Sequence, residues 1–168
     1  MDTELLDERA IRAVILTYCR GVDRMDRGLV RSCYHDDALE EHGSFRGTVD
    51  EYIEWVWKVL ARYDRTSHMV ANQLIELRGN RAHCETYGVA FHEGDPTDPT
   101  RNLTVGFRYL DRFERRPDHG WKIVERVAVT DWCRSFAPET RWDIPEHLLV
   151  GRRGSADPLY DSRAWLDG

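Results

Sequence analysis

Asp23 and His68 are the residues of this chain whose types and settings best suit proton transfer. Asp23 closes the run Tyr18-Cys19-Arg20-Gly21-Val22-Asp23, and His68 opens Ser67-His68-Met69-Val70-Ala71-Asn72. A carboxylate bonded to one imidazole nitrogen fixes the ring and stabilises the imidazolium, which leaves the other nitrogen free to take a proton. Each residue also has a plainer reading. His68 suits a structural hydrogen bond within a strand, and Asp23 suits a helix-end acid held by Arg20 and Arg24. A negative charge at a helix C-terminus opposes the helix dipole, so Asp23 requires a partner in either case.

Tyr18 lies five residues before Asp23. On one continuous helix the two point about 140° apart, so both enter one pocket only if the helix unwinds near Gly21. Tyr18 is therefore either a hydrogen-bond donor in that pocket or buried packing. Arg126 shares a strand face with Val124 and Ala128 rather than with Trp121, Ile123, Val127 and Val129. An arginine on an apolar inner face needs an anion, either an enolate or carboxylate of a substrate or a neighbouring acid, such as one among the strand partners of Glu125 or Asp111. Asn72, expected on the same strand face as His68, together with Val70 and Trp57, completes the candidate substrate contacts.

The elements that must position these groups follow from periodicity. Leu5, Ile11, Val14, Ile15 and Tyr18 recur at helical spacing over 4–21, behind the acids Asp2, Glu4, Asp7 and Glu8. Gly21 is expected to interrupt that helix. A short second helix spans 27–34, and His35-Asp36-Asp37 reads as a turn. A hairpin over 38–46 turns at Gly43-Ser44, and Thr48 with Glu51 forms a capping box opening a helix to about residue 63. Four β-prone segments follow at 67–77, 82–92, 102–115 and 121–134, joined by a turn at 78–81, a loop at 93–100 and a turn at 116–120. Helices first and a meander afterwards indicate an α+β fold, with helices packed on one face of a curved antiparallel sheet. Residues 1–137 form the domain, and the Pro- and Gly-containing tail 138–168 covers a pocket or a subunit interface.

The chain has 168 residues, which suits one domain with a sizeable core. Its 11% aromatic content, with six Trp, suits a thick core or an apolar pocket. The net charge is -6 with Arg dispersed among acids, so no basic stripe marks a nucleic-acid surface. The start Met-Asp-Thr-Glu has no basic-then-apolar leader and no stretch is long enough to span a membrane, so a cytoplasmic protein is expected. Cys19, Cys33, Cys84 and Cys133 form no paired ligand motif and are expected as free thiols. The remaining histidines, His83 and His92 among them, form no compact metal motif, and no phosphate loop or dinucleotide fingerprint is present.

Tyr18 and Asp23 in Y-x4-D, His68 in S-H-M-x-x-N, and the run Tyr109–Arg116 leading to Gly120-Trp121-Lys122-Ile123 carry a family likeness. In these respects the chain resembles the SnoaL-like branch of the nuclear-transport-factor-2-like superfamily. It is most similar to the group of scytalone dehydratase, bile acid 7α-dehydratase and hexachlorocyclohexane dehydrochlorinase. The resemblance covers roughly residues 5–135 and implies a cone-shaped α+β fold with an Asp-His catalytic dyad at Asp23 and His68. It also implies a pocket arginine at Arg126 and a catalytic tyrosine at Tyr18. The dehydrochlorinase carries lysine where this chain has Tyr18, a departure that favours a hydroxyl-bearing substrate over a halogenated one. The expected activity is that of a cofactor-independent dehydratase acting on a hydrophobic cyclic or polycyclic substrate of steroid, polyketide or aromatic type. Isomerisation or cyclisation by the same dyad, or a non-catalytic binding module, are the alternatives. A homo-oligomer is implied, a trimer before a dimer.

Overall fold

The computed structural model describes residues 3–94, 98, 102–135 and 144–163. Three helices and six strands follow one another as α1 (Thr3–Arg24), α2 (Arg27–Ser32), β1 (Tyr34–His42), β2 (Phe45–Thr48), α3 (Val49–Leu60), β3 (Arg65–Arg78), β4 (Arg81–Glu93), β5 (Leu103–Arg116) and β6 (Gly120–Arg134). A short 3-10 turn at Gly154–Ala156 and α4 (Pro158–Arg163) end the described chain. The strands form one open, mixed sheet in the order β2-β1-β6-β5-β4-β3, in which β1 runs parallel to β6 and the other neighbours are antiparallel. The three helices pack on one face, so the fold is α+β as expected. Most of the expected 93–100 loop lies outside the described residues.

The packed face explains the sequence pattern. Ile11, Ile15, Tyr18 and Val22 of α1 meet Tyr52, Ile53, Val56 and Leu60 of α3 and the inward residues Tyr109, Phe113 and Ile123 of the sheet in one buried core. α3 starts where the capping box predicts: the Thr48 hydroxyl accepts from the Glu51 amide and the Glu51 carboxylate accepts from the Thr48 amide.

Three local expectations fail for identifiable reasons. First, α1 does not unwind at Gly21; it continues to Arg24. Gly21 serves close packing instead, because a Cβ there would lie 2.7 Å from Cγ2 of Val30 and 3.0 Å from its backbone nitrogen. Second, His35-Asp36-Asp37 is not a turn but part of β1, an irregular stretch held extended between the pairings of Tyr34 and Leu39 with β6. Third, β6 breaks register between Ile123 and Glu125, leaving Val124 unpaired with β5. This bulge moves Arg126 onto the same inward face as Trp121 and Ile123, all three buried, whereas strict alternation separated them.

Candidate active site

The last turn of α1 packs on the start of β3, and this contact joins the two residues of the dyad. Asp23 accepts from His68 Nδ1 at 2.7 Å, from the His68 backbone N–H at 2.9 Å and from the Thr66 hydroxyl at 3.0 Å. Three donors from one strand therefore hold a carboxylate that the helix dipole disfavours, and its orientation follows from strand geometry. The Nε2 of His68 has no hydrogen-bond partner among the described residues, and the ring lines a cavity of about 220 Å³.

That cavity lies between α1, α3 and the sheet. Its walls include Tyr18, Tyr52, Trp55, Tyr63, Phe107 and Tyr109, with His42, His68 and His92 as the imidazoles. Such a pocket is largely apolar with a few polar groups aimed inward, the usual make-up of a small-molecule site. His92 stands edge-on to His68 at 5.7 Å between ring centroids, and its Nδ1 lies 3.3 Å from the Leu103 carbonyl. Burial, and then the neighbouring His68, push its pKa down to about 4. His92 is therefore a neutral ring at physiological pH.

Tyr18 reaches the cavity wall without any unwinding of α1, because Asp23 acts from behind His68 rather than from the cavity itself. The Tyr18 hydroxyl bonds to that of Tyr52, and burial raises the pKa of both phenols. Both are thus neutral groups able to donate or accept a hydrogen bond.

Arg126 has a different place. Its guanidinium donates to both carboxylate oxygens of Asp111, at 2.6 and 2.8 Å, and both side chains are fully sealed from solvent. It also lies 4.1 Å from the ring centroid of Tyr18 and 4.0 Å from that of Tyr109. Those two rings line the cavity and Arg126 stands behind them, so it does not contact a ligand directly. The neighbouring acid, not a substrate anion, pairs with it, and its Nη1 is buried without a partner among the described residues.

The three expected substrate contacts also lie elsewhere. Asn72 falls in a bulge between Val70 and Gln73 and is exposed, since the register shift turns it off the His68 face. Val70 packs at the edge of the core and does not line the cavity. Trp57 is on the far side of α3, with the Arg27 guanidinium 5.2 Å from its ring; Trp55 lines the cavity instead. Sequence reasoning missed Trp55, His92, Phe107 and Tyr109, and it also missed His42 with Glu40. The alternation Glu40-x-His42 was a usable signal, because residues two apart in a strand share a face.

A second groove, of about 440 Å³, opens beside Asp23, where Ile144, Leu148 and Leu149 of the C-terminal segment face Thr66 and Phe91. This segment is tied down by the Arg24–Asp157 ion pair at 3.2 Å and by Arg153, which donates to the Leu60 carbonyl at 3.0 Å. The groove holds none of the cavity's imidazoles.

The sheet and its helical cover have the fold of nuclear-transport-factor-2-like proteins. The profile of the SnoaL-like domain matches residues 3–127, and the chain belongs to that family. A candidate scytalone dehydratase from Novosphingobium aromaticivorans superposes with a TM-score of 0.70 at 21% identity, covering 84% of this chain and 99% of that one. A type 2 hexachlorocyclohexane dehydrochlorinase, LinA, superposes at 0.68 with 20% identity, over 85% and 99%. A nuclear-transport-factor-2-like protein of Salmonella enterica superposes at 0.66 with 15% identity, over 77% and 93%. At these identities the likeness concerns the fold. No curated protein matches the chain. No helix among the described residues is long and apolar enough to cross a membrane.

Proposed function

We propose that this protein is a lyase of the dehydratase type that needs no cofactor. His68 removes a proton from a carbon next to a carbonyl, Asp23 holds the ring and stabilises the imidazolium, and a hydroxyl on the adjacent carbon departs. The observation that carries this reading is the 2.7 Å contact between Asp23 and His68 Nδ1 behind a ring that faces an aromatic cavity. Tyr18 and Tyr52, paired and neutral, are suited to hydrogen-bond the carbonyl oxygen as the enolate forms. Arg126 acts at one remove, placing positive charge behind the rings of Tyr18 and Tyr109.

Cavity size narrows the substrate. A dry cavity of roughly 150 Å³ takes up one benzene ring. The volume of about 220 Å³ therefore suits a molecule of one or two rings better than a four-ring steroid. The C-terminal segment, lying beside Asp23, serves in this reading as a wall that keeps water from the dyad.

Incubation with β-hydroxycyclohexanone and its aryl-substituted relatives, followed by enone absorbance, tests the proposal. Turnover is expected, and His68→Ala or Asp23→Asn lowers it by roughly 10²–10⁴-fold. Near-full activity of either variant overturns the assignment. Isomerisation by the same base is distinguished by a product that retains the water.

A further inference from the structure

The cavity contains a second imidazole backed by a second carboxylate. His42 and Glu40 project from one face of β1, and His42 Nδ1 lies 3.0 Å from Glu40 Oε1. The Glu40 side chain is fully sealed, whereas that of His42 is 27% exposed and lines the cavity. The other oxygen of Glu40 accepts from the Tyr34 hydroxyl at 2.8 Å. The His42 ring stacks on Tyr52, with centroids 5.4 Å apart, and its Nε2 has no hydrogen-bond partner among the described residues.

Charge balance sets this pair apart from Asp23 and His68. Glu40, Arg126 and Asp111 are register partners in one row across β1, β6 and β5. Two acids thus share one guanidinium, and Asp111 takes both of the Arg126 nitrogens that are bonded. Burial raises the Glu40 pKa, and the nearby phenols of Tyr18, Tyr34, Tyr52 and Tyr109 are all kept neutral by their own burial. None of those phenols supplies the missing positive charge. A proton held between Glu40 and His42 does, because a buried charge is tolerated only when paired.

Position matches charge. His68 lies 6.2 Å from Phe107 and His42 lies 6.1 Å from Tyr109, while Phe107 and Tyr109 are in mutual contact at 4.4 Å. A small ring lying over those two aromatics has one imidazole near each end. Two imidazoles at opposite ends of one cavity, each backed by a carboxylate, are placed to serve as an acid and a base.

We propose that the Glu40–His42 pair is the proton donor of the site, with His42 a catalytic residue that protonates the departing oxygen. The assignment rests on the elimination reading above. As the C–H bond breaks, its proton goes to His68 Nε2 and its electron pair passes into the enolate, from which the new C=C bond to the adjacent carbon forms only as that carbon loses its oxygen. The C–O bond then breaks, and the oxygen takes its electron pair and a proton from His42 Nε2 to leave as water. Exchange with solvent afterwards removes a proton from His68 and returns one to His42. No oxidant or further reactant is required.

Two measurements test the donor. In the intact protein, ¹⁵N NMR of the His42 ring at neutral pH is expected to show both nitrogens protonated, and a neutral ring overturns the proposal without reference to activity. In kinetics, β-acetoxycyclohexanone has a leaving group that departs with little need of a proton, unlike β-hydroxycyclohexanone. His42→Gln is expected to slow the hydroxy ketone by roughly a hundredfold or more and the acetoxy ketone only a few fold, whereas His68→Ala slows both alike. Equal slowing of the two ketones by His42→Gln, or none, removes His42 from the donor role. Wild-type protein that is inert toward both ketones counts against the elimination itself, while a neutral His42 counts against the donor alone.

Discussion

Two charge pairs in this molecule look alike on paper and differ in kind. Asp111 and Arg126 are joined at 2.6 Å with neither side chain exposed, behind a wall of tyrosines. Asp23 and His68 are joined at 2.7 Å with 13% and 9% of their side chains exposed, and one ring nitrogen is left without a partner among the described residues. The first pair is enclosed by the protein, with two guanidinium nitrogens on Asp111 and Arg126 Nη1 buried without a partner among the described residues, while the second leaves the Nε2 of His68 facing a cavity. An ion pair supports structure when it is sealed and chemistry when one valence remains open.

The largest expected effect breaks the sealed pair. Asp111→Ala leaves Arg126 buried beside a lone carboxylate and should cost about 3–5 kcal/mol in urea unfolding. Asp23→Asn keeps hydrogen-bonding capacity near solvent and should cost under about 2 kcal/mol while abolishing most turnover. Equal stability losses in the two variants would erase the contrast. A smaller effect probes the helix that carries Asp23: Gly21→Ala forces α1 away from Val30 and should cost about 1–3 kcal/mol by thermal unfolding.

Smaller again is the change at Thr66, one of the three donors to Asp23. Thr66→Val should cost about 1 kcal/mol and lower turnover less than Asp23→Asn does, because the other two donors remain. Acid is a probe of a different kind. The His92 pKa is about 4 in the fold, lowered by burial, against an unfolded value near ~6.5. Between those values the unfolded chain binds the extra proton, so this contribution is complete above about pH 6.5 and declines as pH falls toward 4. Urea midpoints across that window should fall in the wild type and flatten in His92→Phe.

Much of the fold was legible because it rests on local signals. The capping box at Thr48 and Glu51, the helical stripe of α1 and the four long strands all appear where periodicity predicts them. The pairing of Asp23 with His68 was legible only through family resemblance and helix-end electrostatics. Arg126 and Asn72 misled for a shared reason, and the break at Gly21 for another. Two β-bulges, at Val124 and between Val70 and Gln73, reverse the faces that strict alternation assigns, and the close approach of Val30 gives Gly21 a purpose other than bending. Trp57 lost its place to Trp55 because two residues on a helix differ by about 200° of rotation.

By itself the sequence determined most of the elements, their order along the chain and the chemical types able to move a proton, because these depend on neighbours along the chain. Only the tertiary structure decided which polar groups keep a free valence. Arg126 meets Asp111 across two strands, Asp23 meets three donors of β3, and His42 meets Glu40 in a sealed row of charge. Burial and register set those outcomes, and both depend on residues far apart in the chain.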